Sequence, residues 1–414
     1  MKTISNFFLL LFTLLHFSAI AKEVPVEQAR KVAQNYFSFV TERQSSNLKL
    51  AHTAKMADGK PSLFVFQNAD AAGFIMVSGD DIAEPILGYS YESTFDMNTK
   101  NKAFLSWMEF YQNEIAYGIS KNYMQPAEIK TKWNQYANNS FSGIDRAAGV
   151  LPLVKSKWGQ DPDENAQCPL DKTENKRCVT GCPATAVAMI MKFHKHPAQG
   201  IGNSSYNHEK YGTLSVNYAD QTYNYADMPD SIAGPVAEIA KLMYHAGVAV
   251  EMGYTPDESG SFVIEAYCNK KEATCEYAFK NYFGYDKTTV AGLQKKDFTD
   301  AVWLQKLKDE LNAQRPMQYA GFGGGGHTWV CDGYDDNNKF HMNWGWRGQQ
   351  DGFYALNALV PGSGGTGSGE GNYNNGQQAI IGIKPDILST APKFGLILNS
   401  GVTLNPNVIK LRVL

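Results

Sequence analysis

The sequence predicts an α+β protein in two successive units, and three observations point that way. Both helical and strand patterns occur along the chain, a polar stretch of small residues divides it, and the chemically suggestive residues all follow that divide. From residue 26 to 40, Ala29, Val32, Ala33, Tyr36, Phe37 and Val40 recur at helical spacing and predict an amphipathic helix. The apolar runs 63–66 and 73–77, with a polar turn between them, predict a hairpin, and Phe104, Trp107, Met108 and Tyr111 place a second helix over 103–117. This unit closes near residue 125, and the polar, small residues from 134 to 149 predict an exposed, cleavable linker.

Composition excludes more than it identifies. The 414 residues suffice for one or two packed domains beside a short export segment. A formal net charge of -3 leaves no basic excess to favour nucleic acid or an anionic membrane. Lys2 precedes an apolar run over 7–15, and Ala19-Ile20-Ala21 has the small-x-small form that signal peptidase accepts, so residues 1–21 are expected to be a signal peptide. A buried helix would show the same apolar run, but its place at the N-terminus and the polar Lys22-Glu23 that follows favour export. No later stretch approaches the roughly 20 apolar residues a membrane helix needs, so a soluble protein outside the cytoplasm, without a membrane anchor, is expected.

Six cysteines in an exported chain invite pairing, and Cys168 with Cys178 and Cys268 with Cys275 are close enough in sequence to close small loops, although the connectivity stays open. No pair has C-x2-C spacing and no suitably spaced histidine pair accompanies them, so no metal is expected. The glycine-rich stretch 362–371 lacks the Gly-Lys-Ser/Thr ending of a phosphate cradle; it predicts a flexible loop, and no cofactor is expected.

The nucleophile candidate is Cys182. In Thr180-Gly181-Cys182-Pro183-Ala184, the proline suits the first position of a helix, which puts Cys182 at the N-cap. Unpaired backbone N–H groups and the positive end of the helix dipole there favour thiolate over thiol. A buried structural cysteine is the commoner fate of any one Cys, and the flanking Gly181 and Pro183 are what favour reactivity. The proton partner is His327, which follows four glycines and opens a strand, 145 residues beyond Cys182. After a turn over 333–338, a second strand over 339–344 runs back. A hairpin centred on Asp335 sets Asn343 across from His327, where its amide would hold the imidazole tautomer that leaves one nitrogen free for sulfur. A histidine beside glycines is by itself more often a core or surface residue, so His327 takes its role only jointly with Cys182. His341 is the poorer base, because in this register it faces Trp329. His194 and His196 stand at the far end of the Cys182 helix, about three turns or 18 Å from the sulfur, and are expected at the surface.

Together, the segments 179–186, 190–194 and 325–327 and the run Asn343-Trp344-Gly345-Trp346 closely resemble the streptopain family of bacterial cysteine peptidases. The resemblance extends to 73–80 and 86–90 and so covers about residues 25 to 385. It implies a papain-like α+β catalytic domain at 148–385, preceded by a smaller α+β inhibitory propeptide at 22–147 that ends in the cleavable linker; the tail 386–414 receives no role. It also implies Cys182 as nucleophile, His327 as general base and acid, Gln160 as an oxyanion-hole donor beside the Cys182 amide and Trp344 as the shield of the histidine pair, beside Asn343 as the orienter that the hairpin suggests. Ser259, Ser261, Gly325 and Gly326 are the expected substrate-binding residues, and the glycine-rich loop is expected to flank the cleft. The expected protein is a secreted, monomeric cysteine endopeptidase made as a zymogen. It acts on protein and peptide substrates through an acyl-enzyme, with its own propeptide as intramolecular inhibitor. Family members favour bulky apolar side chains before the scissile residue, but the segment 254–261 departs from the family in length and charge. The competing readings are a secreted Cys-His amidase or acyl-transferase, a catalytically inactive inhibitor or binding protein, and, last, disulfide exchange through Cys178.

Overall fold

A computed structural model describes residues 22–42, 47–141, 149–321, 326–359 and 376–386. The expected export segment 1–21, residues 142–148 of the expected linker, Gly325, the loop 362–371 and the tail from 387 lie outside the described residues.

The first unit runs α1 (Val26–Thr41), β1 (Leu48–Lys55), β2 (Pro61–Asn68), β3 (Phe74–Ser78), β4 (Ile86–Ser90), α2 (Lys102–Ser120) and α3 (Ala127–Ala137). α1 buries Ala29, Val32, Ala33, Tyr36 and Phe37, the stripe its spacing predicts. β2 and β3 form the expected antiparallel hairpin. α2 starts where the Asn101 side chain accepts from the Phe104 N–H at 3.0 Å, satisfying one of the orphan donors of the first turn. α3 falls partly within the predicted linker. Ile129, Trp133 and Tyr136 are its three buried residues, and Trp133 donates its indole N–H to the Ala83 carbonyl at 3.0 Å. Three apolar residues among polar ones make a weak local pattern, and tertiary packing completes the helix.

The second unit continues with the two-residue strands β5 (Leu170–Asp171) and β6 (Lys176–Arg177), α4 (Cys182–His194), the hairpin β7 (Asn203–His208) and β8 (Gly212–Asn217), α5 (Ala237–Ala249), α6 (Cys275–Asn281), β9 (Ala291–Gln294), α7 (Asp300–Asn312), and β10 (Met317–Gly321) to β14 (Gln378–Ile381). Of these, β11 (His327–Tyr334), β12 (Lys339–Asn343) and β13 (Gly352–Ala355) form a meander. Every residue of α4 from Pro183 to Met191 is buried, so it is a central helix rather than a surface one. That burial corrects the expectation for its far end: His196 is buried, with its Nε2 2.8 Å from the Gly284 carbonyl oxygen, and burial pushes His194 down to about 4.

One ten-stranded sheet runs through both units in the order β1-β2-β3-β4-β13-β12-β11-β10-β14-β9. The seam is the antiparallel pair β4–β13, where Tyr89 faces Phe353 and Gly88 faces Tyr354. A Cβ on Gly88 would stand 2.5 Å from the Tyr354 ring, so the seam closes only over glycine. Beneath it, Phe104, Trp107, Met108 and Tyr111 of α2 join Trp303, Trp329, Trp344 and Tyr354 of the second unit in one buried cluster. The first unit therefore shares a core with the second and extends its sheet.

The hairpin register differs from the expected one. Asn343 pairs with Val330, not His327, and His341 faces Gly333, not Trp329. The Asp335 carboxylate accepts from the N–H groups of Asn337 and Lys339 while Asn338 adopts φ 60, which moves the tip beyond Asp335. A bulge between Cys331 and Gly333 takes up the remaining residue.

Candidate active site

The N-terminus of α4 is built on Gly181, which has φ 84 and caps the helix. A Cβ there would meet the Met252 sulfur at 2.7 Å and the Ser259 carbonyl at 2.8 Å, so both conformation and space require glycine. Cys182 is thus the first helical residue, one position later than the sequence suggests, with Pro183 behind it. Burial pushes its thiol up to about 11; the backbone N–H groups of Thr328 and of Cys182 pull the other way, and the Glu258 carboxylate adds to the rise. In the precursor burial thus outweighs the helix N-terminus, although Cys182 is only partly buried, and shifts the thiol opposite to the direction the helix start alone favours.

His327 opens β11 opposite Gly321 of β10. Burial lowers its pKa; Glu258 opposes that and the Lys102 ammonium reinforces it, so the charged imidazolium is disfavoured. Cys182 and His327 line the same cleft, a cavity of about 720 Å³, but among the described residues no hydrogen bond joins them. Gln160 lines it too, buried, with its backbone carbonyl accepting from the Thr180 N–H at 3.1 Å.

Other expected site residues are differently engaged. The Asn343 amide donates to the Ser156 carbonyl at 2.9 Å and its Oδ1 accepts from the Gly345 N–H at 3.2 Å, so it does not orient His327 here. Strand alternation accounts for this, since Asn343 shares a face with Val330 and His327 belongs to the face of Trp329. Trp344 donates its indole N–H to the Gln350 carbonyl, and its ring lies 4.8 Å from that of Trp329 and 6.3 Å from that of Phe104. It is thus packed under α2, and Trp346 is the tryptophan that lines the cleft. Ser259, Ser261 and Gly326 all line the cleft. The Ser259 hydroxyl is bonded to the backbone of Thr255, and that of Ser261 to the carbonyls of Val250 and Ala273.

Two residues of the site were not legible in the sequence. Lys102, the first residue of α2, reaches the cleft and places its Nζ 2.6 Å from Glu258 Oε2. Their positions are 156 apart, and the only sequence hint was the unusual charge of the segment 254–261. All six cysteines are free thiols, and no cluster among the described residues has the makings of a metal site.

A cysteine at a helix start and a histidine at a strand start on one cleft, with an N-terminal unit that extends the same sheet and sends Lys102 into that cleft, define a cysteine peptidase in precursor form. The chain belongs to the Peptidase C10 family, whose sequence pattern matches residues 158–354, and the pattern of the Spi protease inhibitor matches 21–115. It is 32% identical over 366 residues to streptopain of Streptococcus pyogenes, covering 83% of this chain and 86% of streptopain. It is 28% identical over 386 residues to the thiol protease/hemagglutinin PrtT of Porphyromonas gingivalis, covering 88% of this chain but 42% of that longer one. Among solved structures, a fragment of prointerpain A from Prevotella intermedia superposes with a TM-score of 0.64 at 27% identity, covering 82% of this chain and all of the fragment. The protein is a thiol-dependent endopeptidase zymogen with a propeptide inhibitor domain ahead of its papain-like catalytic domain, as the resemblance implied. No helix among the described residues is long and apolar enough to cross a membrane.

Proposed function

We propose that Cys182 is the nucleophile and His327 its proton partner in a secreted endopeptidase that becomes competent when the propeptide leaves. The observation that carries this reading is that both side chains open onto one cleft from different elements, with Gln160 beside them. In the precursor the sulfur keeps its proton and the imidazole is neutral. Release of residues 22–147 removes Lys102 from the cleft mouth and lets His327 close on the sulfur, which transfers its proton to the ring. The thiolate then forms a C–S bond with the scissile carbonyl. The Gln160 side chain and the Cys182 amide donate to the oxyanion, and the imidazolium protonates the departing amine as the C–N bond breaks. Water, deprotonated by His327, hydrolyses the acyl-enzyme. Catalytic residues then lie within 148–385, activation cleaves the 134–149 region, and residues 1–21 direct export.

The test is to mature the protein, label it with a peptide-based thiol-directed inhibitor, and read both the modified cysteine and the new N-terminus by mass spectrometry. Labelling of Cys182 is expected; labelling of another cysteine, or turnover by Cys182→Ala at the wild-type rate, overturns the assignment. Gln160→Ala should slow turnover by an amount equivalent to about 2.7–4 kcal/mol in the transition state.

A further inference from the structure

We propose that Glu258 forms an anionic subsite at the rim of the cleft that selects a lysine or arginine side chain of the peptide substrate, and that Lys102 of the propeptide fills this subsite in the precursor. The inference rests on the peptidase reading of this cleft and adds to it a substrate preference.

Glu258 and its neighbour Asp257 both line the cleft, but they are neutralised differently. Asp257 pairs with Lys176 of the second unit at 2.5 Å, a contact that survives loss of the propeptide. Glu258 pairs only with Lys102 among the described residues, so departure of the first unit leaves its carboxylate without a cation. Lys100 and Lys102, the two propeptide cations whose charge reaches Asp257, leave at the same time, and the rim turns more negative.

Position and support fit a recognition role. The Glu258 carboxylate is half-exposed, so an incoming ammonium or guanidinium can meet it while staying partly hydrated. Its backbone is held by a closed loop of bonds: the Glu258 N–H donates to Thr255 Oγ1 at 2.9 Å, and that hydroxyl donates to the Glu258 carbonyl at 2.6 Å. The carboxylate is therefore offered from a pre-organised turn. Phe262, Val263 and Tyr267 line the same cleft and supply an apolar wall for the methylene stem of a lysine. Charge on Glu258 also acts on both Cys182 and His327, which places the rim close to the reacting groups.

The experiment uses the matured enzyme and fluorogenic peptides identical except for lysine, norleucine or glutamate at each position around the scissile bond. At one position lysine should raise kcat/KM by about fivefold, the range of a solvent-exposed ion pair, and added salt should shrink the preference. Glu258→Gln should abolish it and Glu258→Lys should reverse it in favour of glutamate. Equal rates for lysine and norleucine at every position, a preference retained in Glu258→Gln, or one lost only in Asp257→Asn would each overturn the proposal. Norleucine peptides cleaved by an enzyme whose Cys182 takes the thiol label, without a lysine preference, remove the subsite alone. No peptide turned over and no label on Cys182 removes the peptidase reading and the subsite with it.

Discussion

Two histidines of one hairpin meet opposite fates. His341, in β12, is buried with Nδ1 2.6 Å from Asp332 Oδ1 and Nε2 3.3 Å from Glu92 Oε1, a carboxylate contributed by the propeptide. Burial is the largest influence on it and acts to lower its pKa, but Asp332 and Glu92 together outweigh burial and raise it to about 10. Glu92 is drawn down to about 2, first by its bond to His341 and also by Lys157 at 2.7 Å. His327, at the start of β11, has no hydrogen-bonded carboxylate among the described residues, and burial lowers its pKa. The propeptide thus sends an anion to the structural histidine and a cation, Lys102, toward the candidate catalytic one. The first contact locks the two units together; the second disfavours the imidazolium that an active dyad requires.

The contrast can be broken most forcefully by His341→Ala. It leaves Asp332 and Glu92 facing each other without their shared cation, and should cost the precursor about 3–5 kcal/mol in a denaturant titration. An unchanged midpoint would mean the cluster is not structural. Glu92→Gln removes only the propeptide's share, and because Glu92 is partly exposed the loss should be about 1–2 kcal/mol, seen as roughly tenfold weaker binding of the separated propeptide to the mature domain.

Glu92 has its pKa lowered from 4.5 to about 2, so its stabilisation is present above pH 4.5 and is lost as pH falls toward 2. His341 is raised from 6.5 to about 10, so its contribution is full below pH 6.5 and is lost as pH rises through 10. Glu114 of α2, which accepts from the Ala358 N–H of the second unit, is raised by burial from 4.5 to about 8 and likewise subtracts stability as pH climbs through that interval. The denaturant midpoint of a Cys182→Ala precursor should therefore be highest near pH 4.5 and fall as pH rises toward 9. A higher midpoint at pH 9 would contradict this sign. The smallest effect belongs to Lys102→Gln. An ion pair half-exposed on both sides is worth about 0.2–1 kcal/mol, so inhibition by the separated propeptide should weaken less than about fivefold, and the difference should vanish in high salt.

Much of the fold was legible because its signals are local. The apolar stripe of α1, the β2–β3 hairpin, the inward face of α2 and the Gly181-Cys182-Pro183 start of α4 all follow from periodicity and backbone preference within a few residues. The β11–β12 hairpin was legible as an element but not in register, because an Asp335-centred turn and a bulge at Asp332 are decided by a handful of backbone bonds. The same limit explains Cys182. Its place at a helix start could be read, whereas the state of its thiol depends on the surroundings of the sulfur, including Thr328 and Glu258 from distant segments.

Sequence alone therefore determined the two-unit organisation, the family resemblance and the pairing of one cysteine with one histidine as chemical candidates, since residue type and short-range pattern carry that information. Tertiary structure alone decided that the two candidates share a cleft with no hydrogen bond between them among the described residues, that Asn343 and Trp344 are engaged elsewhere, and that Lys102 meets Glu258. These are consequences of desolvation and of charges brought together from segments far apart in the chain, and neither has a local signature.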